Sequence, residues 1–218
     1  MKTNAVSKTY DGRTVLQMPA VDLAADTVHV VLGSNGSGKS TLAKILAGVL
    51  AADGGTMPLT EPCRVGYLPQ KAYAFRMSME KNLRIAANDR EREDRLLAQL
   101  HLTELRKAPA NRLSGGESAR MALARVLMKP FDLLILDEPS AAMDMESTML
   151  AEKAILEYKK ETGAAVLLIT HSIRQARRVG DGLFFLKNGM PVETGPCKEH
   201  LDAPGTKELK EFLEFYGG

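Results

Sequence analysis

The chain lacks a disulfide framework, a long apolar run and a dominant charge sign, and each absence closes a line of interpretation. Its two cysteines, Cys63 and Cys197, stand far apart with no metal-ligand spacing around them. Buried or incidental thiols in a reducing compartment are therefore expected in place of a disulfide or zinc site. The longest apolar run, Ala164 to Ile169, falls far short of the roughly 20 residues that span a bilayer. The N-terminal stretch MKTNAVSKTYDGRTVL has no apolar core of signal-peptide length. A cytoplasmic chain that reaches a membrane only through a partner is expected. The 29 basic and 27 acidic residues leave a net charge of +2, so nothing in the balance supports a nucleic-acid partner or a polybasic anchor. No internal repeat or low-complexity tract is apparent, and 218 residues suit one domain.

Short apolar runs alternate with amphipathic segments: Val28–Leu32, Val65–Leu68, Leu133–Leu136, Val166–Ile169 and Leu183–Leu186. Such alternation predicts an α/β domain around a mainly parallel, buried sheet. Four of these runs end in polar residues: the glycine-rich loop, Pro69-Gln70, Asp137-Glu138 and Thr170-His171. Ligands of open α/β sheets sit beyond the carboxyl ends of the strands, so the four endings should converge on one nucleotide. Between Gln70 and Ser114 the pattern becomes helical, over Met79 to Ala86 and Arg95 to Leu102. Residues 71–130 therefore read as a helical subdomain inserted into a single domain of residues 1–218. The mixed-sign run DREREDR at 89–95 reads as a solvated helix start or loop.

Two stretches look like anion cradles. GSNGSGKST, residues 33–41, follows an apolar strand and satisfies the G-x-x-x-x-G-K-[ST] pattern in full. Gly33, Ser34, Asn35, Gly36, Ser37 and Gly38 would wrap the β-phosphate, with Lys39 reaching the β- and γ-phosphates and Thr41 in the first helical turn. Ser40 would hold Mg²⁺. A structural turn needs neither Lys39 nor Ser40. LLILDEP at 133–139 ends a strand in two acids. Asp137 suits Mg²⁺ through its water shell and Glu138 suits a general base toward water. The second cradle, RLSGGESAR at 112–120, sets Ser114-Gly115-Gly116 before a helix with Met121, Ala122, Ala124, Leu127 and Met128 on its apolar face.

Taken together, these residues resemble the ATP-binding cassette (ABC) ATPases over nearly the whole chain. The signature Leu113-Ser114-Gly115-Gly116-Glu117, between the phosphate loop and the acidic strand, carries the likeness. The resemblance implies a P-loop NTPase core with a small antiparallel β-subdomain and the inserted helical signature subdomain. It implies that Gln70 touches Mg²⁺ and the attacking water, His171 contacts the γ-phosphate, Tyr10 stacks on adenine, and Asp144 communicates between two sites. It also answers why one domain carries two cradles. In that family two cassettes meet head to tail, and each phosphate loop is capped by the other chain's signature, here Ser114, Gly115 and Gly116. ATP then closes a dimer that hydrolysis opens. The sequence departs from the family pattern at Ser118 and Ala119 after the signature, at Ala141 where serine is common, and in the short span of 28 residues between Thr41 and Gln70. That short span predicts a trimmed antiparallel subdomain.

The implied partners are a second ABC subunit, most simply another copy of this chain, and a separate transmembrane permease. Lys71-Ala72-Tyr73-Ala74-Phe75-Arg76 has the aromatic and cationic composition of an interface. The permease is expected to dock near Tyr73, Phe75 and Arg76, with one of the two aromatics held in the core. Ala74-Phe75-Arg76-Met77-Ser78 with Asn82-Leu83 is similar to importer subunits for tungstate-type oxyanions, and less so to those for phosphate or amino acids. An importer would add an extracytoplasmic solute-binding protein. The alternative is an ABC ATPase driving cell division or lipoprotein release. A DNA-repair cassette is disfavoured by the absence of coiled-coil or zinc insertions.

Overall fold

The computed structural model describes residues 1–71 and 73–216, so Ala72 of the expected docking stretch lies outside the described residues. Strands β1 (Val6–Tyr10) and β2 (Arg13–Met18) pair antiparallel as a two-stranded sheet. A six-stranded sheet contains β3 (Val28–Leu32), β4 (Val65–Leu68), β5 (Leu133–Asp137), β6 (Ala165–Ile169), β7 (Gly182–Lys187) and β8 (Met190–Pro196). Its order is β4-β5-β6-β3-β7-β8, parallel from β4 to β7, with β8 added antiparallel. β3, β5 and β6 are buried along their whole length, which explains why they read as unbroken apolar runs.

Successive residues of these strands face opposite sides, and two separate apolar clusters result. Val30, Leu134, Leu136, Val166 and Leu168 face one cluster, and Val31, Leu133, Ile135, Leu167 and Ile169 face the other. The second cluster packs on helix α1 (Lys39–Leu46) and on Leu16 and Met18 of β2. The alternation that sends Leu133 and Ile135 toward α1 also sends Asp137 there, and this fixes half of the site described below.

The first cluster receives α2 (Met79–Arg84), α3 (Arg90–Gln99), α4 (Gly115–Leu127), α5 (Met145–Thr162), α6 (Ile173–Val179), α7 (Cys197–Asp202) and α8 (Lys207–Tyr216). Within the stretch expected to be helical, Leu83, Leu97, Leu100, Met121 and Leu123 belong to the same cluster as the sheet residues Leu68 and Leu136. Among the described residues no helix is long and apolar enough to cross a membrane.

Three expectations need correction. The DREREDR run does start a helix, with Asp89 as its N-cap, but it is not wholly solvated. Glu93 is 0% exposed and takes charge-assisted hydrogen bonds from Arg84 and Arg106, which is what a buried carboxylate requires. Neither aromatic of the docking stretch is core: Tyr73 is 64% and Phe75 38% exposed. They stack edge to face at 5.0 Å, and the Arg125 guanidinium lies 5.3 Å from the Phe75 ring while donating to the Tyr73 carbonyl at 2.7 Å. The second helical segment begins at Arg90 and not at Arg95, because the charged first turn belongs to the helix.

Candidate nucleotide site

β3 ends at Leu32 and the glycine-rich loop follows it into α1. Gly38 is the residue before the helix, at φ 100°, and no side chain caps the helix start. A left-handed φ of this size suits glycine. The leading N–H groups of α1 therefore have no capping acceptor from a side chain, and together with the helix dipole they form an anion site. Lys39 is only 8% exposed. Its ammonium donates to the carbonyls of Gly33 at 2.7 Å and Ser34 at 2.9 Å. Burial pushes the Lys39 pKa down against the attraction of Glu138 and Asp137.

Asp137 closes β5, is 2% exposed, and accepts a hydrogen bond from the Ser40 hydroxyl at 3.2 Å. Burial raises its pKa, opposed by the Ser40 hydroxyl and by Lys44 and Lys39. The next residue, Glu138, has φ 53°, a backbone conformation uncommon for a non-glycine residue. Its N–H is tied to the Ile169 carbonyl of β6 at 2.9 Å, and its carboxylate meets His171 Nδ1 at 2.9 Å. The ends of β5 and β6 thus hold an acid and an imidazole in contact, with strain concentrated at the acid.

A cleft of about 370 Å³ gathers Tyr10, Asn35 through Thr41, Gln70, Asp137 and Glu138, with Val15 of β2 beside Tyr10. A second cavity of about 220 Å³ shares Gln70 and Glu138 with the first and continues to Gly115, Ala141 and Ala142. Ser114, Gly116 and Asp144 line neither cavity; Gly33, Ser34 and His171 do not line them either, but hydrogen-bond to lining residues, the first two through Lys39 and His171 through Glu138.

The signature lies on the surface as a self-contained helix start. Ser114 Oγ accepts from the Glu117 N–H at 3.3 Å, and Glu117 Oε2 accepts from the Ser114 N–H at 2.7 Å, a reciprocal capping box. The bond from the Ser114 N–H holds the Glu117 carboxyl below the usual range. Asp144 is the N-cap of α5 and accepts from the Ser147 N–H at 2.7 Å. The Ser147 hydroxyl in turn takes a hydrogen bond from Arg120 of α4. Arg120, which follows the departing residues Ser118 and Ala119, therefore ties α4 to the start of α5 beside Asp144.

Comparison with known proteins fixes the lineage. Residues 16–141 match the sequence profile described as ABC transporter. The chain is 31% identical to the arginine transport ATP-binding protein ArtM of Bacillus subtilis, across 98% of each chain. It is 33% identical to the tungstate uptake system ATP-binding protein TupC of Peptoclostridium acidaminophilum, across 84% of this chain and 92% of that one. The chain belongs to the ABC transporter family. In fold, the ABC cassette matches a solved structure titled as the ATP-binding subunit of an ABC transporter, with a TM-score of 0.83 at 20% identity over 100% of this chain and 99% of the other. It is an ATP-binding subunit of a transporter.

Two polar features of the cassette lie outside the motif reading: the Tyr67 hydroxyl and the capping role of the signature residue Glu117. Tyr67 places its hydroxyl, buried and without a hydrogen-bond partner, on the Asp137 side of β4. Burial, with Asp137 adding to it, raises its pKa to about 12. A β-strand tyrosine three residues before Gln70 carries no sequence signal of its own. Glu117 could have been found: Ser-x-x-Glu ahead of an apolar helix is the capping-box pattern.

Proposed function

We propose that this cassette hydrolyses ATP in the α1 cleft and that a second cassette, in the simplest case another copy, closes over the nucleotide with its signature. One observation carries the reading: the uncapped start of α1, buried Lys39, the Ser40–Asp137 pair and strained Glu138 open on one cleft, whereas Ser114 and Gly116 lie outside it. The donor set fits a nucleoside triphosphate. Gly33 through Thr41 would bind its phosphates, Lys39 would donate to the β- and γ-oxygens, and Tyr10 would stack on the base. Ser40, Asp137 and Gln70 suit Mg²⁺, which when bound supplies neutralisation of phosphate charge. Glu138, oriented by His171, accepts the proton of a water attacking the γ-phosphorus, and ADP and phosphate leave. His171 is also placed to reach the γ-phosphate. Ser114, Gly115 and Gly116 of the second chain would complete the site, and Asp144 would relay its state to the other.

The transporter reading extends to an importer. Exposed Tyr73 and Phe75, fixed by Arg125 and flanked by Arg76, offer a docking face for a permease at the membrane, with residues 71–130 as the lever between that face and the signature. A solute-binding protein outside the membrane would deliver the cargo. The likeness to TupC favours tungstate or a related oxyanion, and the likeness to ArtM makes arginine the competing cargo. Glu138→Gln should keep Mg-ATP binding and lose about 10²- to 10⁴-fold in turnover, the usual size of a general-base contribution. Wild-type turnover in that variant would refute the assigned base. In cells carrying this transporter, uptake of labelled tungstate against labelled arginine decides the cargo.

A further inference from the structure

The nucleotide cleft has a support outside the motifs. β7 and β8 are joined by the two-residue turn Asn188-Gly189, with φ of 51° and 80°. Both are left-handed, the geometry of a tight hairpin that Asn-Gly favours. The tip of this hairpin packs between β2 and the phosphate loop. The Gly189 N–H donates to the carbonyl of Ser37 in the phosphate loop at 3.1 Å, and the Gly189 carbonyl accepts from the Gln17 N–H of β2 at 2.7 Å. A Cβ on Gly189 would stand 2.6 Å from the Val15 carbonyl oxygen, and one on Gly38 would stand 2.8 Å from the same atom. Strand β2, hairpin tip and phosphate loop therefore meet backbone to backbone, with no room for another carbon.

That packing matters because of what β2 carries. The β1–β2 sheet brings Tyr10 and Val15 to the cleft rim, but among the described residues neither of its strands pairs with a strand of the six-stranded sheet. A two-stranded sheet is marginal alone and takes its position from what it packs against. Leu16 and Met18 anchor it in the α1 cluster, and the hairpin tip is its hydrogen-bonded link to the phosphate loop. We propose that Gly189 is a positioning residue for nucleotide binding: it sets the spacing between the β1–β2 sheet and the phosphate loop, so that Tyr10 meets the base while the phosphates lie on α1. This rests on the base-stacking role assigned to Tyr10 above.

The test compares binding of ATP with binding of tripolyphosphate, which has no base, by the purified chain. Gly189→Ala should weaken ATP by about tenfold, the size of one lost base–aromatic stack, and leave tripolyphosphate within about twofold, since it touches only the loop. Gln17→Pro removes the N–H that bonds Gly189 while β2 keeps its pairing with β1, and it should shift the same ratio in the same direction. It decides the matter alone if Gly189→Ala does not fold. Asn188→Gly keeps the turn and should leave the ratio unchanged. Tyr10→Ala should lower the ratio as Gly189→Ala does, and the double variant should lose no more than either single one. If Tyr10→Ala shifts the ratio and neither hairpin variant does, or if the hairpin variants weaken both ligands equally, the positioning role falls and base stacking stands. If Tyr10→Ala leaves the ratio unchanged, base stacking falls, and the role of Gly189 with it.

Discussion

The two glycine-flanked helix starts of this cassette are built in opposite ways. α1 begins on Gly38 with no side-chain cap, beside a buried lysine and a buried aspartate whose pKa values burial pushes toward their neutral forms. α4 begins on Ser114 with a reciprocal cap, on the surface, and its Glu117 is held in the charged form. The first arrangement gains most from an anion that enters the cleft. The second is already satisfied at Ser114 and Glu117, so what it offers an approaching phosphate is the N–H groups of Gly115 and Gly116 and the Ser114 hydroxyl. A start that holds nucleotide alone and a start that only completes a site held by another chain should differ in this way.

The largest expected effect separates the two directly. Lys39→Ala should weaken ATP binding by the isolated chain by about 100-fold or more, since a charge-assisted hydrogen bond in a buried site is lost with its partners left unpaired. Ser114→Arg should leave that affinity within about twofold, because Ser114 lines no part of the cleft. In a Glu138→Gln background, size-exclusion with Mg-ATP should show dimers that Ser114→Arg abolishes, since a bulky side chain blocks approach. Mixing Ser114→Arg with Lys39→Ala chains leaves one composite site intact and one doubly damaged. A collapse of monomer affinity with Ser114→Arg, or an ATP-dependent homodimer of it, would break the comparison.

Much of this contrast was legible in the sequence, and the physical reason differs by region. β3, β5 and β6 are buried on both faces, so composition alone marks them, and the motif residues follow at their ends. β8 was not legible: its burial alternates irregularly through Pro191, Gly195 and Pro196, and it is placed by pairing with β7, a tertiary fact. For Tyr73 and Phe75 the expectation that one of them is core fails because Arg125, far along the chain on α4, holds this stretch at the surface, a contact no local pattern shows. In the site, Lys39, Ser40, Asp137 and Glu138 were readable from spacing. The burial of Tyr67 beside Asp137 and the packing of Gly189 between β2 and the phosphate loop were not, because each depends on which strands lie side by side.

A smaller effect sharpens the electrostatic half of the comparison. Glu117 puts a carboxylate at a helix start proposed to meet a γ-phosphate. Glu117→Gln keeps an oxygen for the Ser114 N–H and removes the like charge. Dimers formed with Mg-ATP in the Glu138→Gln background should tighten by about two- to fivefold, a like-charge effect below about 1 kcal/mol at an exposed position. The gain should shrink as salt is raised. Weaker dimers at every ionic strength would show that the carboxylate assists closure and would put the signature's polarity the other way round.

The smallest effect concerns folding stability, where Glu117 should act with a definite sign. Its folded pKa lies below the ordinary value of 4.5, chiefly through the bond from the Ser114 N–H. A carboxyl lowered in this way binds fewer protons folded than unfolded across that interval, so the stability it contributes is fully present above the ordinary value and is lost as pH falls through the folded one. Glu117→Gln should therefore unfold at a slightly lower temperature than wild type at pH 7, by an amount worth less than about 1 kcal/mol for a surface cap. The gap should close as the solution is acidified below the ordinary carboxylate range, because wild-type Glu117 then becomes neutral as well. Ser114→Ala removes the other half of the cap, and its cost of about 1 kcal/mol should persist at low pH because the hydroxyl does not titrate. Parallel melting curves for wild type, Glu117→Gln and Ser114→Ala from pH 7 down to pH 3 measure both. A Glu117→Gln gap that widened on acidification would mean that the carboxylate destabilises the folded chain, and α4 would then have to be grouped with α1, as a helix start left incomplete by its own sequence.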